Sequence, residues 1–336
     1  MASAKIKVLL SLWKKWGSYK IPISLLLTAK DFLMSVMMFF VVSNFMVLTT
    51  KNQNMPFITT NSVSLSGSSE EVNIFYQDIG RGKPVVLIHG WPLNYQMWEY
   101  QLNELPKHNI RVIAYDRRGF GLSSRPWEGY DYDTLASDLN VLLEKLDLRD
   151  VTLVGFSMGG GEVARYLSKY NSNGRVTKAA LISAVTPFLL KTENNPTGLP
   201  QEMFTTMKEQ IEEDRPKFLA GFSKMFYGVH LFSNPVSNEI LQRDMVLALD
   251  SAGYSTIKAM QAWSTTDFRD DLRNIRLPLL VIHGKADETV PIDASAEETI
   301  KIVPHAQYVV YDDAPHGLYY THKNKFNEDI VNFVNS

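Results

Sequence analysis

The sequence predicts a protein of the α/β class, with a mostly parallel central sheet flanked by helices and an inserted helical cap. Three observations predict this fold. Short apolar runs alternate with amphipathic stretches, a Gly-x-Ser-x-Gly pattern directly follows one such run, and one long interval contains no strand-like run. With 336 residues, of which 45% are hydrophobic and 21% are charged, the chain is long enough to bury a full core.

The first 54 residues are predicted to lie outside the folded domain, which we place at residues 55–336. Residues 32–48 are almost continuously apolar and follow six lysines, a pattern typical of an uncleaved membrane anchor with its lysine side in the cytoplasm. Two alternatives stay open: a buried or interfacial helix, and a start of synthesis at Met55, which would give a cytoplasmic protein. Residues 50–70 are rich in Ser, Thr and Asn and are interpreted as a linker.

Seven apolar runs in the domain predict the strands of the sheet. Most of them lack polar alternation, so most of these strands are expected to be buried. Leu135 and Leu139, and later Phe326 and Ile330, belong to patterns that repeat every three or four residues, as in helices. Because strand-like and helical stretches alternate, the sheet is predicted to be mostly parallel. The seven runs are 72–76, 85–88, 112–115, 151–154, 179–182, 279–282 and 308–311.

Residues from 187 to about 270 contain no convincing strand and are predicted to form the helical cap. Aromatic and methionine residues, among them Phe222 and Phe226, recur through this interval. Inserted segments above a sheet commonly carry substrate contacts. These side chains are therefore expected either to line a pocket or to form the core of the cap, and for any single residue the second role is favoured.

The pattern Gly155-Phe156-Ser157-Met158-Gly159 follows an apolar run and precedes a helical stretch. A serine acts as a nucleophile where a tight turn between strand and helix exposes its hydroxyl, and glycines are needed where this turn brings backbones together. The following helix directs its amide dipoles towards developing negative charge. The pattern therefore predicts a nucleophile elbow with Ser157 as the catalytic nucleophile.

A serine hydroxyl needs a base, and His316, in a loop after the last predicted strand, fits that role best. Asp287 lies in the loop after the preceding strand and is predicted to orient the imidazole, with Glu288 as a less favoured neighbour. The resulting chain order of serine, aspartate and histidine is the order typical of the α/β-hydrolase fold.

Two backbone amides are predicted to bind the oxyanion of a tetrahedral intermediate. Trp91 follows the run at 85–88 and can supply one amide, whereas Met158 supplies the other from the elbow. The stretch 116–123 contains glycines and paired charges and is interpreted as a bent structural loop without a catalytic role.

Composition excludes several other classes of protein. A formal net charge of −2 provides no excess of basic residues, so no nucleic-acid partner is predicted. The chain has no cysteine, which excludes disulfides, thiolate metal sites and cysteine nucleophiles. No cluster of histidine and carboxylate residues has metal-ligand spacing, and no glycine-rich dinucleotide motif opens a helix. The sequence therefore predicts neither a metal nor another cofactor.

From Met55 to Ser336 the chain resembles the cofactor-free haloperoxidases, or perhydrolases, and the bacterial aryl esterases of the α/β-hydrolase superfamily. Residues 1–54 have no counterpart in this resemblance, so it implies nothing about location. The stretches that carry it are His89-Gly90-Trp91-Pro92-Leu93, residues 116–123, the extended elbow 155–166, residues 182–187 and 266–268, and Ala314-Pro315-His316-Gly317.

The resemblance implies an enzyme that hydrolyses esters through an acyl-serine and can also pass the acyl group of a carboxylic acid to hydrogen peroxide, forming a peracid. It further implies that Pro92 lies on the acceptor side of the site, because in similar enzymes a proline after the oxyanion tryptophan accompanies peracid formation. Three alternatives stay open: a plain carboxylesterase, a hydrolase of carbon-carbon bonds, and a ligand receptor on the same scaffold. The sequence does not name the natural substrate, and the formation of a homo-oligomer stays open.

Overall fold

Eight strands form one sheet in the computed structural model, which describes residues 56–63 and 69–336. In chain order the strands are β1 (Phe57–Val63), β2 (Ser69–Gly80), β3 (Lys83–Ile88), β4 (Ile110–Tyr115), β5 (Val151–Phe156), β6 (Val176–Ile182), β7 (Leu279–Gly284) and β8 (Gln307–Tyr311). Their spatial order is β1-β2-β4-β3-β5-β6-β7-β8. The pairs β1–β2 and β2–β4 are antiparallel and every other pair is parallel, so the predicted mostly parallel sheet is confirmed.

The chain changes direction across the sheet after β3. Strand β4 pairs with one side of β3, whereas β5 pairs with its other side. Loops that leave the carboxyl ends of β3 and β5 therefore run apart, and such a point in a parallel sheet opens a crevice where ligands bind. The turn at 89–93 and the elbow at 155–159 follow these two strands.

Helices pack on the sheet and bury its central strands. Helix α3 packs against β5 and β6, α2 packs against α3, and α10 packs against α1. Every residue of β5 and β7 is buried, as expected for parallel strands with neighbours on both sides. In chain order the helices of the described residues are α1 (Glu99–Glu104), α2 (Tyr132–Lys145), α3 (Met158–Lys169), α4 (Gln201–Phe226), α5 (Asn238–Leu249), α6 (Gly253–Thr265), α7 (Arg269–Arg273), α8 (Ala296–Ile302), α9 (Leu318–Thr321) and α10 (Lys323–Asn335).

The interval between β6 and β7 contains α4 to α7, and α4, α5 and α6 lie within the residues assigned to the cap. Helix α4 consists of two segments, because Asp214 has non-helical angles (φ −152°, ψ 81°) and Pro216 lies inside the helix. Asp214 Oδ1 accepts a hydrogen bond from the amide of Lys217 at 3.0 Å. Asp214 therefore caps the second segment, which carries Phe222 and Phe226.

One strand was not predicted. Strand β1 lies in the stretch 50–70 that was interpreted as a linker, so that interpretation is wrong for Phe57–Val63. This edge strand pairs antiparallel with β2 and buries Ile58 and Thr60, whereas the alternate positions Phe57, Thr59 and Asn61 are exposed. The seven predicted runs all lie within β2 to β8 and are confirmed.

The predicted membrane anchor at residues 32–48 lies outside the described residues and stays a prediction. Within 56–63 and 69–336, no helix combines the length and the apolar character needed to cross a bilayer.

Candidate active site

Ser157 lies in the sharp turn between β5 and α3. Its backbone angles are φ 54° and ψ −119°, a conformation that residues with side chains rarely adopt. Its amide donates to the carbonyl oxygen of Ile182 at 2.8 Å, which ties the turn to the neighbouring strand β6. The strand, the helix and this hydrogen bond together fix the serine at the crevice beside β3.

Two glycines of the elbow are required by close backbone contacts. A Cβ atom on Gly159 would lie 2.5 Å from the carbonyl oxygen of Ile88, and a Cβ atom on Gly155 would lie 2.4 Å from the carbonyl oxygen of Gly159. Backbone atoms cannot move aside as a flexible side chain can, so neither position accepts a larger residue without distortion. The elbow therefore depends on glycine for the reason that the sequence suggested.

His316 and Asp287 form a hydrogen-bonded chain with Ser157. His316 Nε2 lies 3.0 Å from Ser157 Oγ, and His316 Nδ1 lies 2.7 Å from Asp287 Oδ2. All three residues are buried, whereas the rival Glu288 is exposed. The structure brings together the three residues selected from the sequence because they follow β5, β7 and β8, whose carboxyl ends lie at one edge of the sheet. Their catalytic roles remain predictions.

Asp287 is held as a carboxylate. Its Oδ1 accepts hydrogen bonds from the amides of Thr289 at 2.9 Å and Val290 at 2.8 Å. Burial by itself would raise the pKa of this carboxyl, but electrostatic attraction and hydrogen bonds from His316 and His283 hold the pKa of Asp287 well below its usual value. An ionised Asp287 keeps the proton of His316 on Nδ1, which leaves Nε2 free to accept the proton of Ser157.

His283 supports Asp287 and was not selected from the sequence. Its Nε2 donates to the carbonyl oxygen of Val290 at 2.8 Å and lies 3.3 Å from Asp287 Oδ2. A carbonyl oxygen only accepts hydrogen bonds, so His283 carries its proton on Nε2. The one available signal was its place four residues before Asp287, near the end of β7.

The amide of Met158 is oriented by its own peptide group. The carbonyl oxygen of Ser157, in the same peptide group, accepts hydrogen bonds from the amides of Gly160 at 2.9 Å and Val185 at 3.3 Å. The N–H of a trans peptide points opposite to its C=O, so the N–H of Met158 points away from these donors. Met158 is also the first residue of α3, where an amide has no acceptor within the helix.

The amide of Trp91 is oriented in the same way. The carbonyl oxygen of Gly90 accepts hydrogen bonds from the amide of Leu93 at 3.1 Å and from His89 Nδ1 at 2.9 Å. Within the described part of the chain, the opposite N–H of Trp91 has no hydrogen-bond acceptor. A Cβ atom on Gly90 would lie 3.2 Å from Ser157 Cβ, so this turn lies directly against the elbow. Both amides are therefore available to an oxygen of a substrate bound to Ser157.

The cap contacts both the oxyanion turn and the histidine. The ring of Trp91 lies 5.2 Å from that of Phe222 and 5.7 Å from that of Trp263, measured between centroids, and its Nε1 donates to the carbonyl oxygen of Thr256 at 2.9 Å. The ring of Phe226 lies 4.9 Å from the imidazole of His316. Apolar side chains of the cap therefore shield the hydrogen bonds between Ser157, His316 and Asp287 from water.

Pro92 lies on the wall of a small cavity between the oxyanion turn and the cap. The cavity has a volume of about 20 Å³, which is room for roughly one water molecule. Its other walls include Leu93, Phe222, Phe226 and Asp244. The peptide bond between Trp91 and Pro92 is cis. The role of Pro92 on the acceptor side remains a prediction.

A serine elbow after a central parallel strand, with an aspartate and a histidine from later loops, defines the class of α/β-hydrolases. Comparison with known families agrees, since a profile described as the alpha/beta hydrolase fold matches residues 83–323. The chain belongs to the α/β-hydrolase family, in the group that includes non-heme haloperoxidases and related esterases.

Three relatives illustrate this membership. A non-heme chloroperoxidase from Kitasatospora aureofaciens is 42% identical over 266 residues, covering 79% of this chain and 96% of the relative. A bifunctional esterase/perhydrolase from Acinetobacter calcoaceticus is 36% identical over 272 residues, covering 80% and 98%. The crystal structure of a bromoperoxidase from Bacillus anthracis superposes with a TM-score of 0.77 at 44% identity, covering 82% of this chain and 100% of that chain.

Proposed function

We propose that this chain is a serine-dependent acyltransferase that hydrolyses esters and forms peracids from carboxylic acids and hydrogen peroxide. The observation that carries the proposal is the chain of hydrogen bonds from Ser157 through His316 to Asp287, at 3.0 and 2.7 Å. It is supported by the orientation of the amides of Trp91 and Met158, whose peptide groups are held by hydrogen bonds to the carbonyl oxygens of Gly90 and Ser157.

Acylation begins with the attack of Ser157 Oγ on the carbonyl carbon of the ester. His316 Nε2 takes the hydroxyl proton, and Asp287 stabilises the resulting imidazolium. The amides of Trp91 and Met158 stabilise the negative oxygen, an interaction worth about 10²- to 10³-fold in rate for each donor. The intermediate then expels the alcohol, which leaves with the proton held by His316. A neutral carboxylic acid is attacked in the same way, and water then leaves in place of the alcohol.

Deacylation repeats these steps with a different nucleophile. His316 takes a proton from water or hydrogen peroxide, whose oxygen attacks the acyl-serine, and Ser157 leaves with that proton. Water gives the carboxylic acid and peroxide gives the peracid. The named activities of the relative from Acinetobacter calcoaceticus support both products.

The experiment measures hydrolysis of 4-nitrophenyl acetate, and bromide oxidation in the presence of acetate and hydrogen peroxide, by the full chain. Both activities are expected in the wild type, since a peracid oxidises bromide without further help. In Ser157→Ala both should fall by about 10⁶-fold, whereas Ser172→Ala, at an exposed position, should keep both.

The other outcomes separate the alternatives. Ester hydrolysis without bromide oxidation would leave a plain esterase. A folded wild-type chain with neither activity would favour the ligand receptor and overturn the proposal.

A further inference from the structure

Four buried polar side chains form a network beneath the oxyanion turn and the elbow. Arg117 Nε donates to Glu162 Oε1 at 2.5 Å, Tyr115 donates to Glu162 Oε2 at 2.6 Å, and Arg117 Nη2 donates to the carbonyl oxygen of His89 at 2.7 Å. All four residues are at most 1% exposed. The stretch 116–123 was interpreted as a structural loop, yet its Arg117 reaches the turn that supplies the amide of Trp91.

The contacts of His89 determine which of its ring nitrogens carries the proton. The amide of Arg117 lies 2.9 Å from His89 Nε2, and since an amide only donates, Nε2 is the acceptor. Burial and the charge of Arg117 hold the pKa of His89 well below its usual value, so the ring is neutral and its single proton lies on Nδ1. His89 Nδ1 is therefore the donor in its 2.9 Å contact with the carbonyl oxygen of Gly90, and its longer 3.3 Å contact with Arg117 Nη1, where both nitrogens carry hydrogen, is not a hydrogen bond.

This hydrogen bond acts on the peptide group that contains the amide of Trp91. As long as the carbonyl oxygen of Gly90 is held by His89 and Leu93, the N–H of Trp91 points to the opposite side. The peptide group of Met158 is held by backbone donors alone, from Gly160 and Val185. A substitution of His89 can therefore change the orientation of the Trp91 amide without changing that of the Met158 amide.

The network also links the two halves of the oxyanion site. Glu162 lies on α3, one turn after Met158, and Arg117 contacts both Glu162 and His89. The turn that carries Trp91 and the helix that begins at Met158 are therefore joined by one buried ion pair. Removing one partner of a buried pair of this kind is strongly destabilising, so the pair contributes to holding the two halves together.

We propose that His89 is a positioning residue that orients the amide of Trp91 towards the oxyanion, and that the backbone amide of Arg117 holds His89 in the required tautomer. This inference rests on the proposed function. It assigns His89 no contact with substrate, because its effect passes through the peptide group of Gly90 and Trp91.

Two variants of His89 separate its two hydrogen bonds. Asparagine places its side-chain NH₂ near the position of Nδ1, where it can still donate to the carbonyl oxygen of Gly90. Glutamine places its side-chain amide near the position of Nε2, where its oxygen can accept from the backbone amide of Arg117 but the donor to Gly90 is lost. We expect His89→Gln to lower kcat by about 10²-fold with little change in KM, and His89→Asn to retain kcat within about tenfold of the wild type.

Each rate is expressed per active serine, counted by complete labelling with a fluorophosphonate, so that a poorly folded fraction does not count. A boronic acid supplies the second measurement, because its tetrahedral adduct with Ser157 places an oxygen where the oxyanion lies. Its inhibition constant should rise in His89→Gln in parallel with the loss in kcat. A purely structural role would lower the labelled fraction and the melting temperature, and would leave kcat per labelled serine unchanged.

The tautomer of His89 can also be tested in the wild-type chain, where no substitution disturbs the structure. Nitrogen-15 NMR of the full chain, with the His89 signals assigned by their loss in His89→Gln, should show a neutral ring with its proton on Nδ1. A proton on Nε2 would overturn the assignment, as would a kcat in His89→Gln within threefold of wild type, or equal losses in the two variants. A wild-type chain without esterase activity would overturn the proposed function and this inference with it.

Discussion

Asp287 makes more hydrogen bonds than a partner of His316 needs. Two amides, from Thr289 and Val290, occupy Oδ1, while Oδ2 faces His316 and His283. The two oxygens of this carboxylate therefore differ in role. Oδ1 accepts the two amides that stabilise the loop after β7, and Oδ2 accepts the hydrogen bond that keeps the proton of His316 on Nδ1. The neighbouring Glu288 is exposed and can do neither.

Asp287→Asn is expected to lower kcat for 4-nitrophenyl acetate by about 10³- to 10⁴-fold with KM little changed. An amide of the same shape can donate to Nδ1, which places the proton of His316 on Nε2, where it blocks transfer from Ser157. Steady-state kinetics of the purified variant, beside Asp312→Asn at an exposed position, provide the measurement. Full activity in Asp287→Asn would contradict the role of Asp287.

Gly90→Ala is expected to lower both stability and activity. The new Cβ would lie 2.6 Å from Phe156 Cδ1 and 3.2 Å from Ser157 Cβ, so the oxyanion turn must move away from the elbow. Overpacking of this kind costs about 1–3 kcal/mol in the free energy of unfolding. Urea unfolding and ester hydrolysis check both effects, and Gly253→Ala, where a Cβ meets nothing within 4 Å, is the control. Equal behaviour of the two variants would contradict the contact.

Sequence alone could select the three hydrogen-bonded residues of the proposed triad but not the side chains that contact them. Ser157 is marked by the glycines of its turn, and His316 and Asp287 are marked by their places after strands. The roles of His283 and Arg117 depend on where a ring nitrogen or a guanidinium lies relative to a carbonyl 7 or 28 residues away along the chain. No spacing in the sequence encodes those distances, so both residues were missed or assigned only a structural role.

At the scale of single elements, helix α4 depends on the break at Asp214 and Pro216. The second segment of the helix carries Phe222 and Phe226, whose rings contact Trp91 and His316. The capping bond from Lys217 to Asp214 therefore stabilises the part of the cap that covers the site. Apolar spacing predicted helical material here, but not the break in it.

Asp214→Ala is expected to lower the free energy of unfolding by about 1 kcal/mol, the usual cost of losing a helix cap. Because the uncapped segment carries the aromatic wall of the site, KM for 4-nitrophenyl acetate should also rise. Glu213→Ala, at the adjacent exposed position, is the control for charge and helix propensity. Thermal unfolding and steady-state kinetics of the pair provide the test, and indistinguishable variants would refute the capping role.

Strand β1 shows that composition alone does not distinguish an edge strand from a linker. Its residues alternate between buried and exposed, and a polar residue, Thr60, takes one of the buried positions. An edge strand with this pattern has the composition of a linker. Only its pairing with β2 distinguishes the two, and pairing with a partner strand is a long-range property.

At the scale of the whole molecule, the low pKa of Asp287 links stability to pH. A carboxyl whose pKa is lower in the folded chain than its unfolded value of about 3.9 contributes stability above that pH, and this contribution is lost as the pH falls below it. Asp287→Asn removes the contribution. Between pH 5 and pH 3, the wild type should therefore lose about 1 kcal/mol more free energy of unfolding than the variant. Urea titrations at both pH values, with Asp312→Asn as control, test this expectation, and parallel pH profiles would contradict it.

The positive φ angle of Ser157 implies that thermal stability and catalytic activity oppose each other at this position. A positive φ costs a residue with a side chain about 1–3 kcal/mol, and glycine escapes most of that cost. Ser157→Gly should therefore be about 1 kcal/mol more stable than Ser157→Ala, and both are expected to be inactive. Selection for thermal stability alone would thus favour loss of the nucleophile, and an engineering effort that screens for heat resistance needs an activity screen beside it.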